Sequence, residues 1–150
     1  MLGGLARTLR ALGHVAAFED GIDDAALVAR AEGTGEWILS SDRPLFERRA
    51  FNAGRVRGLF VPRHAPIEAQ AIFVLRTLGL VVGELRCLAC GAALSTIDKA
   101  KVAGRVPAGA YAAFDEYFRC PGCDRVYWKG THHGRIEAMR ARVAAALAEG

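Results

Sequence analysis

The sequence predicts a mixed α/β fold, a small parallel sheet with flanking helices followed by a short cysteine-bound unit. Two observations carry this. Helix-like and strand-like apolar patterns alternate with short connections over residues 1–80. The four cysteines then fall in two close pairs, Cys87-Leu88-Ala89-Cys90 and Cys120-Pro121-Gly122-Cys123, within residues 81–150.

Taken in order, Leu2, Leu5, Leu9 and Leu12 recur at helical spacing, and Gly13 follows where a left-handed C-cap belongs. Residues 14–18 are a short apolar run suited to a buried strand, ending in Glu19-Asp20-Gly21. Asp23 can then cap a helix over residues 24–32, which Gly33-Thr34-Gly35 breaks. Trp37-Ile38-Leu39 reads as the next buried strand, and Asp42 as the cap of another helix with Pro44 in its first turn. Residues 56–61 form a third strand stopped by Pro62, and Ile67, Ala71, Val74, Leu75 and Leu78 the apolar face of a helix that ends at Gly79.

Beyond residue 81 the pattern changes. A polar stretch over residues 95–105 and a helix over residues 110–117 separate the cysteine pairs. Val126-Tyr127-Trp128 is a strand, and Ile136, Met139, Val143 and Leu147 mark a closing helix.

Charge and hydropathy narrow the function classes. A formal charge of +4, from 20 basic and 16 acidic side chains, is too mild to identify a nucleic-acid partner. No run of about eighteen uncharged apolar residues could cross a bilayer. The N-terminus places Arg7 and Arg10 within its leucine stripe, unlike a signal peptide. The expected compartment is the cytoplasm, where paired cysteines are metal ligands or redox groups before they are disulfides.

Two C-x-x-C turns suit one tetrahedral zinc ion, since each turn sets two sulfurs on one side of the metal. The 29 residues between Cys90 and Cys120 fit a zinc ribbon with an insertion between its knuckles, and Gly91 and Pro121-Gly122 supply tight-turn chemistry. A thioredoxin-like dithiol fits poorly, because two pairs occur and neither opens a helix after a strand. A closed four-cysteine shell leaves no position for substrate, so the zinc is expected to be structural. His132 and His133 lie just past the second pair and are expected to face solvent or nucleic acid instead of joining the ligand set.

Asp20, Asp23, Asp24 and Asp42 all follow predicted strands or open the helices after them. In an open parallel sheet those positions share one edge, where ligands bind. Carboxylates gathered there suit Mg²⁺ or Mn²⁺ and phosphodiester hydrolysis. Each aspartate also has an ordinary local use, as an N-cap or a turn residue.

Several of these motifs occur together in one known family. The run Leu2-Gly3-Gly4-Leu5-Ala6-Arg7-Thr8-Leu9-Arg10-Ala11-Leu12-Gly13, the Asp23-Asp24 helix start, Ile38-Leu39-Ser40-Ser41-Asp42-Arg43, and Phe114 to Cys123 followed by Val126-Tyr127-Trp128-Lys129-Gly130-Thr131-His132 resemble the PIN-like ribonuclease domain named after the C-terminus of the mutator-seven exonuclease. The likeness spans almost the whole chain. It implies a PIN-like fold fused to a zinc ribbon and cleavage of RNA with a divalent metal held by acids, of which Asp42 and Asp24 match best, then Asp23, then Asp20. Members of that family begin with a buried strand whose end carries the first metal-binding aspartate. Here the sequence given starts inside the following helix, so it is expected to be a shortened form or to lack that acid, and to be a weak nuclease at best.

The other reading is a non-catalytic protein that binds RNA, a ribosome or another RNA–protein complex. Arg119, Arg125, Tyr127, Trp128, Lys129, His132 and His133 interleave basic and aromatic groups as such surfaces do. Tyr127 or Trp128 can equally pack the ribbon's own small core.

Overall fold

The computed structural model describes residues 2–150. Helix α1 (Gly3–Ala11) leads through a loop to α2 (Asp24–Thr34), then β1 (Trp37–Ser40), the short helices α3 (Arg43–Phe46) and α4 (Arg49–Asn52), β2 (Arg57–Phe60) and α5 (Ile67–Leu78). Strands β1 and β2 are parallel, with Ile38 opposite Gly58 and Leu39 opposite Leu59. Because side chains alternate along a strand, this register serves two cores. Leu39 and Leu59 pack on a cluster built from Leu5, Leu9, Leu12, Val61, Val74 and Leu75. Ile38 joins Val28, Ala31, Leu45 and Val56 in another. Gly58 is required by its surroundings: a Cβ there would lie 2.5 Å from the Phe46 ring and 2.6 Å from that of Phe51.

Gly13 closes α1 as the leucine spacing predicts. Its φ is +96°, His14 N donates to Leu9 O at 2.9 Å, and a Cβ would strike the Gly83 backbone at 2.5 Å. Residues 14–18, expected as a buried strand, are not one. They form no ladder, and Val15 and Phe18 are 67% and 42% exposed. An apolar run becomes a strand only where a neighbour satisfies its backbone. Here β1 pairs only with β2 among the described residues, and a cavity opens beside it. Helix α2 runs through Gly33 and Thr34, and Gly35 at φ +72° ends it.

The second sheet is antiparallel. It consists of β3 (Ser95–Ile97), β4 (Tyr117–Arg119) and β5 (Val126–Trp128) in that order, with a 3-10 turn (Lys99–Val102) and α6 (Ala108–Ala113) between β3 and β4. The helix expected over residues 110–117 therefore ends early. Tyr117 is the central side chain of this unit, 1% exposed among Val102 and Val106, and its hydroxyl donates to the carbonyls of Ala110 and Phe114. Burial of that ring in the sheet overrides the helical propensity of the alanines before it.

The closing helix α7 (Thr131–Ala148) returns to the first unit. Val143 is fully buried in the core formed by α1 and α5, with Met139 and Leu147 packed on it. Arg140 adds hydrogen bonds to Ala11 O and Gly83 O at the end of α1.

Candidate metal centre and acidic edge

The first cysteine pair sits on a turn bounded by the Arg86–Ala93 bridge, and the second on the turn joining β4 to β5. Gly91 N donates to Cys87 O and Asp124 N to Cys120 O, both at 2.8 Å, so each pair is wound into one tight loop. Asp124 takes a left-handed φ of +64° to complete the second. Arg105 and Arg119 both bond its carboxylate, and that pairing holds its carboxyl below the usual carboxylate range.

The four sulfurs lie within 4.8 Å of one another, with Cys87 to Cys123 at 3.6 Å and Cys90 to Cys120 at 3.4 Å. Tetrahedral bonds of about 2.3 Å to zinc place sulfurs about 3.8 Å apart, so the four thiols are free and could hold that ion. Burial pushes the Cys87 thiol up, but hydrogen bonds from the Tyr127 hydroxyl and from the Cys90 and Ala89 amides outweigh it and hold it at about 6. The Ala92 amide acts to lower Cys90, yet the neighbouring Cys120 thiol, burial and the other cysteines raise it to about 11. Cys87 is thus the cysteine whose surroundings favour the thiolate, the form in which a thiol would bind a cation.

Tyr127 was not predicted as part of this centre. Its hydroxyl lies 3.0 Å from Cys87 Sγ, and burial together with that thiolate raises its own pKa. No local motif marks such a partner, because the bond spans 40 residues and depends on the strand pairing of β4 with β5.

The acids lie elsewhere. A cavity of about 690 Å³ opens beside β1, lined by all four residues of that strand, by α1, and by the loop over residues 14–22. Asp20, Asp24 and Asp42 border it, as do Ser40, Ser41 and Arg63. Asp23 does not. Its carboxylate accepts from Ala25 N at 2.7 Å and Ala26 N at 3.3 Å, the capping use open to it from sequence. Asp24 is paired with Arg48 at 3.0 Å. Asp42 occupies the N-cap position of α3 without a side-chain bond to it, so its carboxylate stays available to the cavity. Among the described residues, only the cysteines bring three or more potential metal ligands together; the aspartates share a cavity but do not close on one point.

The expected RNA-contacting residues surround the second knuckle with unequal freedom. Arg125 is exposed, Arg119 is committed to Asp124, and Lys129 bonds Glu116 at 2.7 Å. Trp128 packs on the Tyr117 cluster. His132 is exposed, with Nε2 3.4 Å from Arg7 Nη2, and His133 is half-buried; both lie in the first turn of α7. No described helix is long and apolar enough to cross a membrane.

No curated protein and no solved structure matches this chain. A family model does, over residues 1–140 of the 150, and its description is "Mut7-C RNAse domain". With nearly the whole length matched, both the α/β unit and the cysteine pairs included, the chain belongs to the Mut7-C RNAse domain family.

Proposed function

We propose that this chain is a ribonuclease-type hydrolase that cuts RNA phosphodiester bonds at the carboxyl end of β1, with one structural zinc ion in the cysteine unit, which guides the RNA. The observation that carries this reading is that Asp20, Asp24 and Asp42 border one cavity in a chain of an RNAse domain family. The donor set is all oxygen and suits Mg²⁺ or Mn²⁺. Such a cation, when bound, supplies a Lewis acid for the phosphoryl oxygens and lowers the pKa of attacking water.

The residues around it have definable tasks. Asp42 offers a carboxylate that makes no bond to the helix it precedes. Asp24 would join it as a ligand if Arg48 released its carboxylate. Arg63 adds positive charge at the cavity rim. Divalent ions are held largely by ligand charge and number, and these acids do not close on one point. An extended segment laid along the free edge of β1, carrying one further aspartate, would both pair the strand and complete the set.

A second reading has its own support. Asp23 is engaged as a cap and Asp24 as an ion-pair partner, which suits a protein that binds RNA, or a ribosome, without cutting it. One assay separates the two. Cleavage of labelled single-stranded RNA should require Mg²⁺ or Mn²⁺, cease with chelator, and be abolished by Asp42→Asn, which keeps the shape and removes the charge. RNA binding that falls with salt and falls again in a folded Trp128→Ala, Lys129→Ala double variant, with no metal-dependent cleavage, supports the binding protein. Unchanged binding in that variant removes the ribbon from the RNA path.

A further inference from the structure

One arginine touches both regions described above. Arg10, near the end of α1, is 8% exposed. Its Nη1 donates to the carbonyls of Leu88 and Ala89, each at 3.0 Å, and these are the two residues between Cys87 and Cys90. Its Nε donates to Ala16 O at 2.7 Å, within the loop that walls the cavity. Gly91, directly after the knuckle, lies against the same side chain: a Cβ there would stand 3.5 to 3.7 Å from it. The loop belongs to no ladder; besides the bond from Arg10, Ala16 packs on the core of α1 and α5 and His14 holds the loop's start through Val81 O at 2.9 Å.

We propose that Arg10 couples metal occupancy of the cysteine centre to the order of the cavity wall over residues 14–18. A guanidinium is a rigid, permanently charged fork of donors, and burial makes each of its acceptors costly to lose. With zinc bound, Cys87 and Cys90 fix the turn, and the Leu88 and Ala89 carbonyls stand where Arg10 needs them. When the metal leaves, the turn loses its anchor, the buried charge loses two acceptors, and Arg10 relaxes away from Ala16. The run around exposed Val15 and Phe18 then keeps the packing of Ala16 but loses its polar tie, and opens more often. Such coupling is reciprocal, so whatever orders residues 14–18 tightens zinc binding by the same factor. Zinc in the ribbon thereby conditions the cavity bordered by Asp20, Asp24 and Asp42, although it takes no part in any reaction there.

The inference rests on the reading that the cysteines hold zinc, and elemental analysis of the same sample tests that separately. Amide hydrogen exchange is followed over residues 14–18 in the intact chain, zinc-loaded and after chelation, in the native sequence and in Arg10→Met and Arg10→Lys. In the native protein, chelation should speed exchange in this loop by roughly 5- to 150-fold, the usual span of coupling between two sites. The Arg10 variants should exchange fast with or without zinc, and should bind zinc more weakly in competition with a chromophoric chelator. Lysine, as a point charge on a flexible stem, should not restore the bridge. Arg105→Gln is the control. It removes the bonds to Asp124 at the other knuckle, so it should weaken zinc binding while leaving zinc-loaded protection of residues 14–18 unchanged. If the native loop exchanges equally with and without zinc in a sample shown to carry the metal, the coupling is absent. If it responds but the Arg10 variants respond as strongly, Arg10 is not the link. Should Arg10→Met fail to fold, the native measurement and Arg10→Lys decide the question.

Discussion

The cysteine centre and the acidic edge are built in opposite ways. Each half of the cysteine centre is made by a four-residue turn, its sulfurs aimed by local backbone hydrogen bonds, and the sheet has only to bring two finished halves together. The acidic edge has no local half. Asp20, Asp24 and Asp42 arrive on a loop, a helix start and a helix cap, and how near they stand to one another depends on a sheet of which the described residues supply two strands. A site assembled from short closed motifs is complete as soon as they fold, whereas one assembled from the ends of separate elements is only as complete as the sheet beneath it.

That difference predicts a large effect of breaking the centre. Cys87→Ser or Cys120→Ser should release zinc and unfold the ribbon, since a structural site of this kind contributes apparent binding energies of roughly 10–16 kcal/mol to folding. Elemental analysis and near-ultraviolet circular dichroism report both events. Native protein that carries no zinc when purified without chelator, or that links its cysteine pairs by disulfides, would end the zinc assignment. The α/β unit, whose cores lie around α1, α5 and α2, should retain most of its helical signal in these variants.

Next in size is the ribbon's own core. Tyr117→Ala deletes the central side chain and leaves two carbonyls without their hydroxyl donor, so it should cost about 3–5 kcal/mol. Chemical denaturation followed by tryptophan fluorescence measures it, because Trp128 packs on the same cluster. A cost under about 1 kcal/mol would mean that the metal alone holds this unit together.

These two regions also differ in what the sequence reveals of them. The cysteine cluster is legible because its chemistry is narrow and its spacing local. The parallel pairing of β1 and β2 is legible from apolar runs that occur where turns allow. Residues 14–18 have the composition of a strand but no backbone partner, and composition carries no information about partners. Tyr117 is hidden in the same way: the alanines before it favour a helix, and only contact with Val102 and Val106 shows that the ring belongs to a sheet. Tyr127 and Arg10 act on the cysteine turn from distances of 40 and 78 residues and have no signature of their own.

A smaller effect tests the division of labour among the acids. Asp23→Ala should cost about 1 kcal/mol of stability, the usual loss for a capping aspartate, and should leave divalent-cation binding unchanged. Thermal denaturation and Mn²⁺ titration of the same variant separate the two roles. Lost Mn²⁺ binding at unchanged stability would reverse the assignment and make Asp23 a ligand.

The comparison is tested most directly by RNA cleavage measured at two lengths, on labelled RNA with Mg²⁺ or Mn²⁺ and with chelator. One protein is the 150-residue chain, and the other is extended upstream by a short apolar strand ending in aspartate. If the acidic edge is unfinished for want of a strand beside β1, the 150-residue chain should cleave weakly, the longer one much faster, and Asp42→Asn in the longer one should abolish the gain. Strong cleavage by the 150-residue chain that survives loss of both Asp24 and Asp42 would contradict the account and place the active site elsewhere.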